Sequence, residues 1–350
     1  MSSSRWFARF GVALSLLCCC FAALAASQKT VLPRVVIMTT GGTIASSASG
    51  APMSDGHALV QAVPQLLDHA RIDVEEFNRV GSSAMTPAHW LSLAKRINEL
   101  FEKQPDLAGV VITHGTDTLE EGAFFLNLTV RSEKPVVMVG SMRAADEISP
   151  DGPANLVNAV RVTTSQAAVG QGVLVVLNED IGSARDVWKT QNRRVNTFQS
   201  SNGGFLGSAE PDGVRFTQKS LRAHTTRSEF EVSQLRELPR VLILSDFSGI
   251  EADVVTAFLA QPMDGLVVRT FAGGRMSPGM REGLRKSVGR RVPIVVTSRV
   301  PGGRIVGRQE YGFPATVARD LQDNKARLLL MLALTRTQDP LELQRIFDTY

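Results

Sequence analysis

Cysteine is nearly absent from this chain and confined to one place. Cys18, Cys19 and Cys20 sit side by side near the start, and none follows. Beyond them the chain excludes thiol nucleophiles, thiolate metal sites and disulfides, as suits an oxidising compartment. Tyrosine is limited to Tyr311 and Tyr350, and the five histidines, His57, His69, His89, His114 and His224, show no metal-ligand spacing. No G-x-S-x-G elbow and no H-E-x-x-H pair occurs, so a serine-hydrolase elbow and a zinc-protease helix are excluded. Charge of one sign is not concentrated either. The 38 Lys and Arg residues, against 34 Asp and Glu, are scattered, so neither a nucleic-acid stripe nor a polybasic membrane patch is expected. No metal or organic cofactor is expected.

At the start, Arg5 and Arg9 precede a short apolar run over residues 10–24, and Ala23, Leu24 and Ala25 supply a small-residue cleavage site. This is the pattern of a secretory signal over residues 1–25, pointing to a periplasmic or secreted protein. The run is too short to span a membrane. Leu17 before Cys18 argues against lipidation, which needs a small residue there. Cleavage would lower the formal charge of +4 by two.

With 43% hydrophobic and 21% charged residues, the remainder has material for packed cores. β-Branched runs at residues 35–39, 109–113, 135–140 and 173–177 alternate with helical spacing at 87–101 and 155–162. That order predicts an α/β fold with mainly parallel sheets and helices on both faces. The polar stretch from Asp212 to Arg240 reads as linker. Strand patterns then resume at 241–244, 266–269 and 294–297, followed by a helix at 324–334 and a closing helix in "DPLELQRIFDTY". The expected organisation is a larger N-terminal domain over 34–215, a linker over 216–240 and a smaller C-terminal α/β domain over 241–350.

Two segments repeat one device. "VVIMTTGGTIASS" (35–47) and "GVVITHGTDTLEE" (109–121) each end an apolar strand in a turn rich in threonine and glycine. Such turns fall at the carboxyl ends of strands, where open α/β sheets bind ligands. Gly41 and Gly42 let the backbone approach a ligand, and Thr43 presents a hydroxyl. In the second turn Gly115 allows the bend, and Thr116 and Asp117 lead into a helix. Thr118 with Glu121, and Asp117 with Glu120, have capping-box spacing. A helix start offers free N–H groups to a carboxylate or a developing oxyanion. The first turn lacks the Lys-Ser/Thr of a nucleotide P-loop. His114 reads as a structural hydrogen-bonding residue rather than a base. A hydrolase here would use a threonine nucleophile with a lysine partner, because an unaided hydroxyl is too weakly acidic.

Taken together, "TTGGTIA" and "THGTDTLEE" resemble the two signature segments of the bacterial type II (periplasmic) L-asparaginase and glutaminase-asparaginase family. The resemblance continues through "KPVVMVGSMR", "DGPANLVNAV", "ARDVWKTQN", "SRVP", "YGF" and "KARLLLMLALT". It implies hydrolysis of L-asparagine, with L-glutamine as a second candidate, through a threonine-bound β-aspartyl ester. It also implies a homotetramer and a flavodoxin-like smaller domain. By position Thr43 matches the attacking threonine, Thr116 the second threonine with Asp117 beside it, and Lys189 in "DVWKT" their charged partner. "VGSSAM" aligns with the substrate loop, where Ser82 contacts the α-carboxylate and Ser83 stands where many members have Gln or Glu.

Some segments depart from the family pattern. The lid stretch "SSASGAPMSDGHALVQ" is shortened and lacks a tyrosine. "FAGGRMSPG" (271–279) replaces an Asn-bearing loop and offers Arg275 instead. Glu310 is the candidate for the acidic residue between "SRVP" and "YGF". Two other readings remain: a secreted amino-acid-binding protein, which gives no reason for Thr43, Thr116, Asp117 and Lys189 together, and a tRNA-dependent amidotransferase subunit, which export argues against.

Overall fold

The computed structural model describes residues 31–42, 44, 49, 55–200, 202–286, 292–306 and 311–350. The signal-like start, Thr43, half of the lid stretch and Glu310 lie outside the described residues. Residues 34–350 form one compact unit.

An eight-stranded sheet is built from residues 34–216. Its strands are β1 (Arg34–Thr39), β2 (Arg71–Glu76), β3 (Leu107–Thr113), β4 (Val136–Val139), β5 (Val173–Leu177), β6 (Asp180–Ser183), β9 (Gly207–Glu210) and β10 (Gly213–Phe216), in the order β10-β9-β6-β5-β4-β3-β1-β2. From β2 to β5 every pairing is parallel, whereas β5-β6, β6-β9 and β9-β10 are antiparallel. Between them, β7 (Val187–Lys189) and β8 (Phe198–Ser200) form a separate two-stranded ribbon. A second sheet takes β11 (Val241–Ser245), β12 (Gly265–Thr270), β13 (Ile294–Ser298) and β14 (Thr316–Val317), all parallel and in chain order.

The central strands are continuous apolar runs because both of their faces are covered. Alternation still sorts their side chains. Val36, Met38, Val110, Ile112, Val136 and Met138 enter one core, and Val35, Ile37, Val111, Val137 and Val139 enter the other. On the first face lie α2 (Pro87–Lys103) and α3 (Leu119–Thr129), after the short α1 (Gly56–Gln61). The apolar spacing of α2 buries Trp90, Leu91, Leu93, Ala94, Ile97 and Leu100, and Thr86 with His89 forms its capping box. On the second face, α4 (Gly152–Thr164) buries Leu156, Ala159, Val160 and Val162. The second sheet carries α5 (Ala252–Leu259) and α6 (Pro278–Lys286), then α7 (Asp323–Leu334) and α8 (Pro340–Thr349). Leu328 to Ala333 of α7 join the same core as α2 and α3, so one apolar interior runs from the first sheet to the second.

Two features carry no periodic pattern in the sequence. The polar stretch from Asp212 to Arg240, read as linker, is anchored to the body of the fold. Residues 213–216 form the edge strand β10, and Phe230 and Val232 are fully buried. A pair of isolated apolar residues anchors such a segment without any periodicity to announce it. The edge strand β2, "RIDVEE", has no strand signature in the sequence, because its charged residues break the apolar run that marks its neighbours.

Candidate active site

Strands β1 and β3 are parallel neighbours, with Thr39 opposite Thr113. The chain leaves β1 for β2 on one side and β3 for β4 on the other. The strand order therefore diverges between β1 and β3, and the carboxyl ends of strands at such a switch point are where open α/β sheets bind ligands. Both threonine turns leave the sheet at this point. Thr40 N–H donates to Thr113 O at 3.1 Å. Gly42 has φ +89°, and a Cβ there would lie 2.2 Å from Gly115 N. Glycine is needed on steric grounds as well as for its backbone angle. Thr43 lies outside the described residues, between the buried Gly42 and Ile44.

Thr116, Asp117 and Lys189 come together. Lys189 Nζ donates to Thr116 Oγ1 at 2.8 Å and to Asp117 Oδ1 at 2.7 Å. The Thr116 residue is 5% exposed, and the Asp117 side chain is 63% exposed. The ammonium thus sits between a buried hydroxyl and a carboxylate at the solvent edge. A cation donating to a hydroxyl oxygen withdraws charge from it and makes that hydroxyl's own proton more acidic. With its oxygen engaged by lysine, Thr116 has its proton free to give elsewhere.

Ser82 is buried beside this turn: a Cβ on Gly115 would lie 2.7 Å from Ser82 Oγ. Ser83 is exposed. The expected capping boxes at the start of α3 do not form. Thr118 makes no side-chain cap bond. Its hydroxyl instead donates to Ser82 O at 2.9 Å and lies 3.0 Å from His114 Nε2. Tertiary partners have taken the groups that a local cap would use.

His114 is fully buried, with its Nδ1 2.5 Å from Thr40 Oγ1 and its ring edge-on to Trp90 at 5.0 Å. It therefore ties the first turn to the second and, through Thr118, to the Ser82 loop. Burial drives its pKa down to about 3, with Asp117 pulling the other way. The ring is neutral, and because the Thr118 proton goes to Ser82 O, the tautomer protonated at Nε2 fits: Nε2–H donates to Thr118 Oγ1 and Nδ1 faces Thr40 Oγ1 as acceptor.

Several residues beyond the sequence-derived set reach the site indirectly. Glu120 Oε2 accepts the backbone N–H of Lys189 at 2.5 Å, and its Oε1 accepts from Asn324 Nδ2 at 2.7 Å. Lys325, 2% exposed, donates from Nζ to Ala184 O, Arg185 O and Val187 O at 3.0, 2.8 and 2.5 Å. Burial brings its pKa down to about 8, against the pull of Glu120 and Asp186. Burial raises the pKa of neighbouring Glu121, against the pull of Arg327. The only sequence signal for these residues was a lysine opening the apolar "KARLLLMLALT".

Arg275 is exposed, and the structure does not bring it to Thr116. Tyr311 is buried under Gly274 and stacks on Phe313 at 5.7 Å, with burial pushing its hydroxyl up to about 12. Among the described residues no three His, Asp or Glu side chains converge as a metal site, and no helix is long and apolar enough to cross a membrane.

Residues 34–222 match the family described as asparaginase, N-terminal, and residues 240–347 the glutaminase/asparaginase C-terminal domain. The chain is 41% identical over 331 residues to L-asparaginase 2 of Bacillus subtilis (strain 168), covering 92% of this chain and 88% of that one. It is 40% identical to L-asparaginase 2 of Escherichia coli (strain K12), over 91% of this chain and 94% of that one. Among solved structures, a probable cytoplasmic L-asparaginase from Campylobacter jejuni superposes with a TM-score of 0.86 at 41% identity. That match covers 91% of this chain and 99% of the other.

Proposed function

The chain belongs to the asparaginase family, and on that premise we propose that it is an L-asparaginase, converting L-asparagine and water to L-aspartate and ammonia. The observation that carries the mechanism is the Lys189 ammonium held between Thr116 and Asp117 beside the turn that bears Thr43.

In this mechanism the Thr43 hydroxyl oxygen attacks the side-chain amide carbon. The proton that Thr43 loses balances the one gained by the amide nitrogen, and Thr116 relays it. Lys189 supports that relay by donating to Thr116 Oγ1, so the threonine's own proton faces the substrate. Ammonia leaves and a β-aspartyl ester remains. Water then adds to the acyl carbon, one of its protons returns to Thr43 and the other is released from the new carboxyl group to ammonia, and aspartate departs. Ser82 binds the substrate's α-carboxylate, with Ser83 at the outer side of the same loop. Asp117, acceptor to Lys189 and open to solvent, has lone pairs left for the substrate ammonium.

Ammonia release from asparagine and from glutamine tests this reading, with Thr43→Ala and Thr116→Ala alongside. We expect asparagine turnover that both variants lose. A folded protein that binds asparagine without releasing ammonia would leave the amino-acid-binding reading in its place. A glutaminase-asparaginase is the nearer alternative, supported by the glutaminase/asparaginase match of the C-terminal segment. The two substrates differ by one methylene, worth roughly 1–3 kcal/mol, so the ratio of specificity constants decides between them.

The matched segments support a division into 34–215 and 241–350, although the first match runs on to residue 222. Family membership does not carry the compartment, since the C. jejuni relative is named as cytoplasmic. The signal-like start supports export, which N-terminal sequencing of the mature protein checks. The family resemblance supports a homotetramer, which light scattering checks.

A further inference from the structure

We propose that Lys325 and Glu120 are positioning residues for Lys189, fixing the backbone of the ribbon that carries it so that its ammonium reaches Thr116. This rests on the catalytic role given above to Lys189.

The need for such a device follows from the ribbon itself. Among the described residues, three-residue β7 pairs only with the three-residue β8. A two-stranded ribbon of that size is marginal on its own. Lys189 has a long side chain with four rotatable bonds, so the place of its ammonium depends first on its backbone. A misplacement of about 1 Å at a reacting group costs on the order of 100-fold in rate.

Two buried charges hold this backbone from its two ends. Glu120, four residues after Thr116, accepts the Lys189 N–H directly. The element that bears the hydroxyl thereby grips the main chain of the residue that bears the ammonium. Asn324 fixes the other oxygen of the same carboxylate. Lys325, next in α7, spends all three ammonium protons on the carbonyls of Ala184, Arg185 and Val187. Those carbonyls lie on the connection from β6 into β7. Arg185 within it is held in turn by both Asp320 oxygens at 3.1 and 2.9 Å. The first turn of α7, attached to the second sheet, therefore sets the position of a strand in the separate ribbon that follows β6 of the first sheet.

A purely structural role fits the chemistry less well. Lys325 packs beside Phe124 among the apolar residues of α7, where a leucine or methionine would bury without the desolvation cost of an ammonium. What an apolar residue cannot supply is three donors aimed at the segment leading to Lys189. Neither Lys325 nor Glu120 touches the place of the substrate, so both act through Lys189.

The test is a double-mutant cycle on the full-length enzyme. Lys325→Met is expected to lower kcat for asparagine about 10- to 100-fold with KM within about 3-fold. In a Lys189→Met background the same change should cost nothing further, because the group it positions is gone. Equal losses in both backgrounds would overturn the proposal and leave Lys325 as a general stabiliser. If Lys325→Met does not fold, Glu120→Gln enters the same cycle, with the same two outcomes. Lys325→Arg, which keeps charge and donors, should recover part of the kcat lost in Lys325→Met. No turnover by the wild type would sink the asparaginase reading, and the clamp would then be judged by amide exchange. Faster exchange confined to residues 184–191 in the Lys325 or Glu120 variant supports it. A uniform change along the chain overturns it.

Discussion

Gly42 and Gly115 touch: a Cβ on the first would fall 2.2 Å from the backbone nitrogen of the second. The two threonine turns are thus packed backbone against backbone at the ends of adjacent strands. Gly42→Ala has to displace the second turn and also adopt φ +89°. We expect it to cost about 2–4 kcal/mol of stability and most of the activity. Urea unfolding with a parallel ammonia assay measures both. A midpoint equal to that of the wild type would mean that the turns can move apart freely.

Lys189 bridges Thr116 and Asp117. Lys189→Met should lower kcat by roughly 10²- to 10⁴-fold, the range for a lost proton-handling group. KM should change only a few-fold and the circular dichroism not at all. Retention of a third or more of the wild-type kcat would remove Lys189 from the chemistry.

Ser82 is buried against Gly115. If its hydroxyl meets the α-carboxylate, Ser82→Ala loses a hydrogen bond to a charged group, worth about 1.5–3 kcal/mol. The expected readout is a KM raised roughly 10-fold or more with kcat nearly kept. A fall confined to kcat would instead assign Ser82 to the reacting end of the substrate.

Acid should weaken the fold through its buried histidines. Burial drives the pKa of His114 down to about 3, and that of His224 to about 4. Above pH ~6.5, the value for an unfolded histidine, both states are neutral and neither residue favours unfolding. Between there and the folded values the unfolded chain binds protons that the folded one refuses, so stability falls as pH falls. The slope should approach on the order of 1 kcal/mol per pH unit per histidine. His114→Gln, compared with the wild type by urea midpoints at several pH values from 7 to 4, should flatten it. An unchanged slope would show that His114 accepts its proton inside the fold.

Much of this fold is written in short-range pattern. The runs that became β3, β5 and α2 were plain because alternation, apolar continuity and 3.6-residue spacing are local properties. The same locality misled at the start of α3. The spacing of Thr118 and Glu121 satisfies the capping-box rule, yet Thr118 reaches Ser82 O and His114, and neighbouring Glu120 reaches the Lys189 amide. A distant partner offering a better-aligned group displaces a cap worth about 1 kcal/mol. Phe230 and Val232 hid in a polar stretch for a related reason: anchoring takes only single residues.

By itself the sequence determined that two Thr/Gly turns end buried strands. Their wording, with "DVWKT" and "VGSSAM", determined the resemblance from which Thr43, Thr116, Asp117, Lys189 and Ser82 followed. Only the tertiary structure decided that β1 and β3 are neighbours, which puts the two turns in contact. It also brought Lys189 across 73 residues to Thr116 and Lys325 across 138 residues to Val187. A lysine in a sequence is a solvated cation by default. Whether it becomes a buried clamp depends on which carbonyls the fold brings around its ammonium, and no local pattern encodes that.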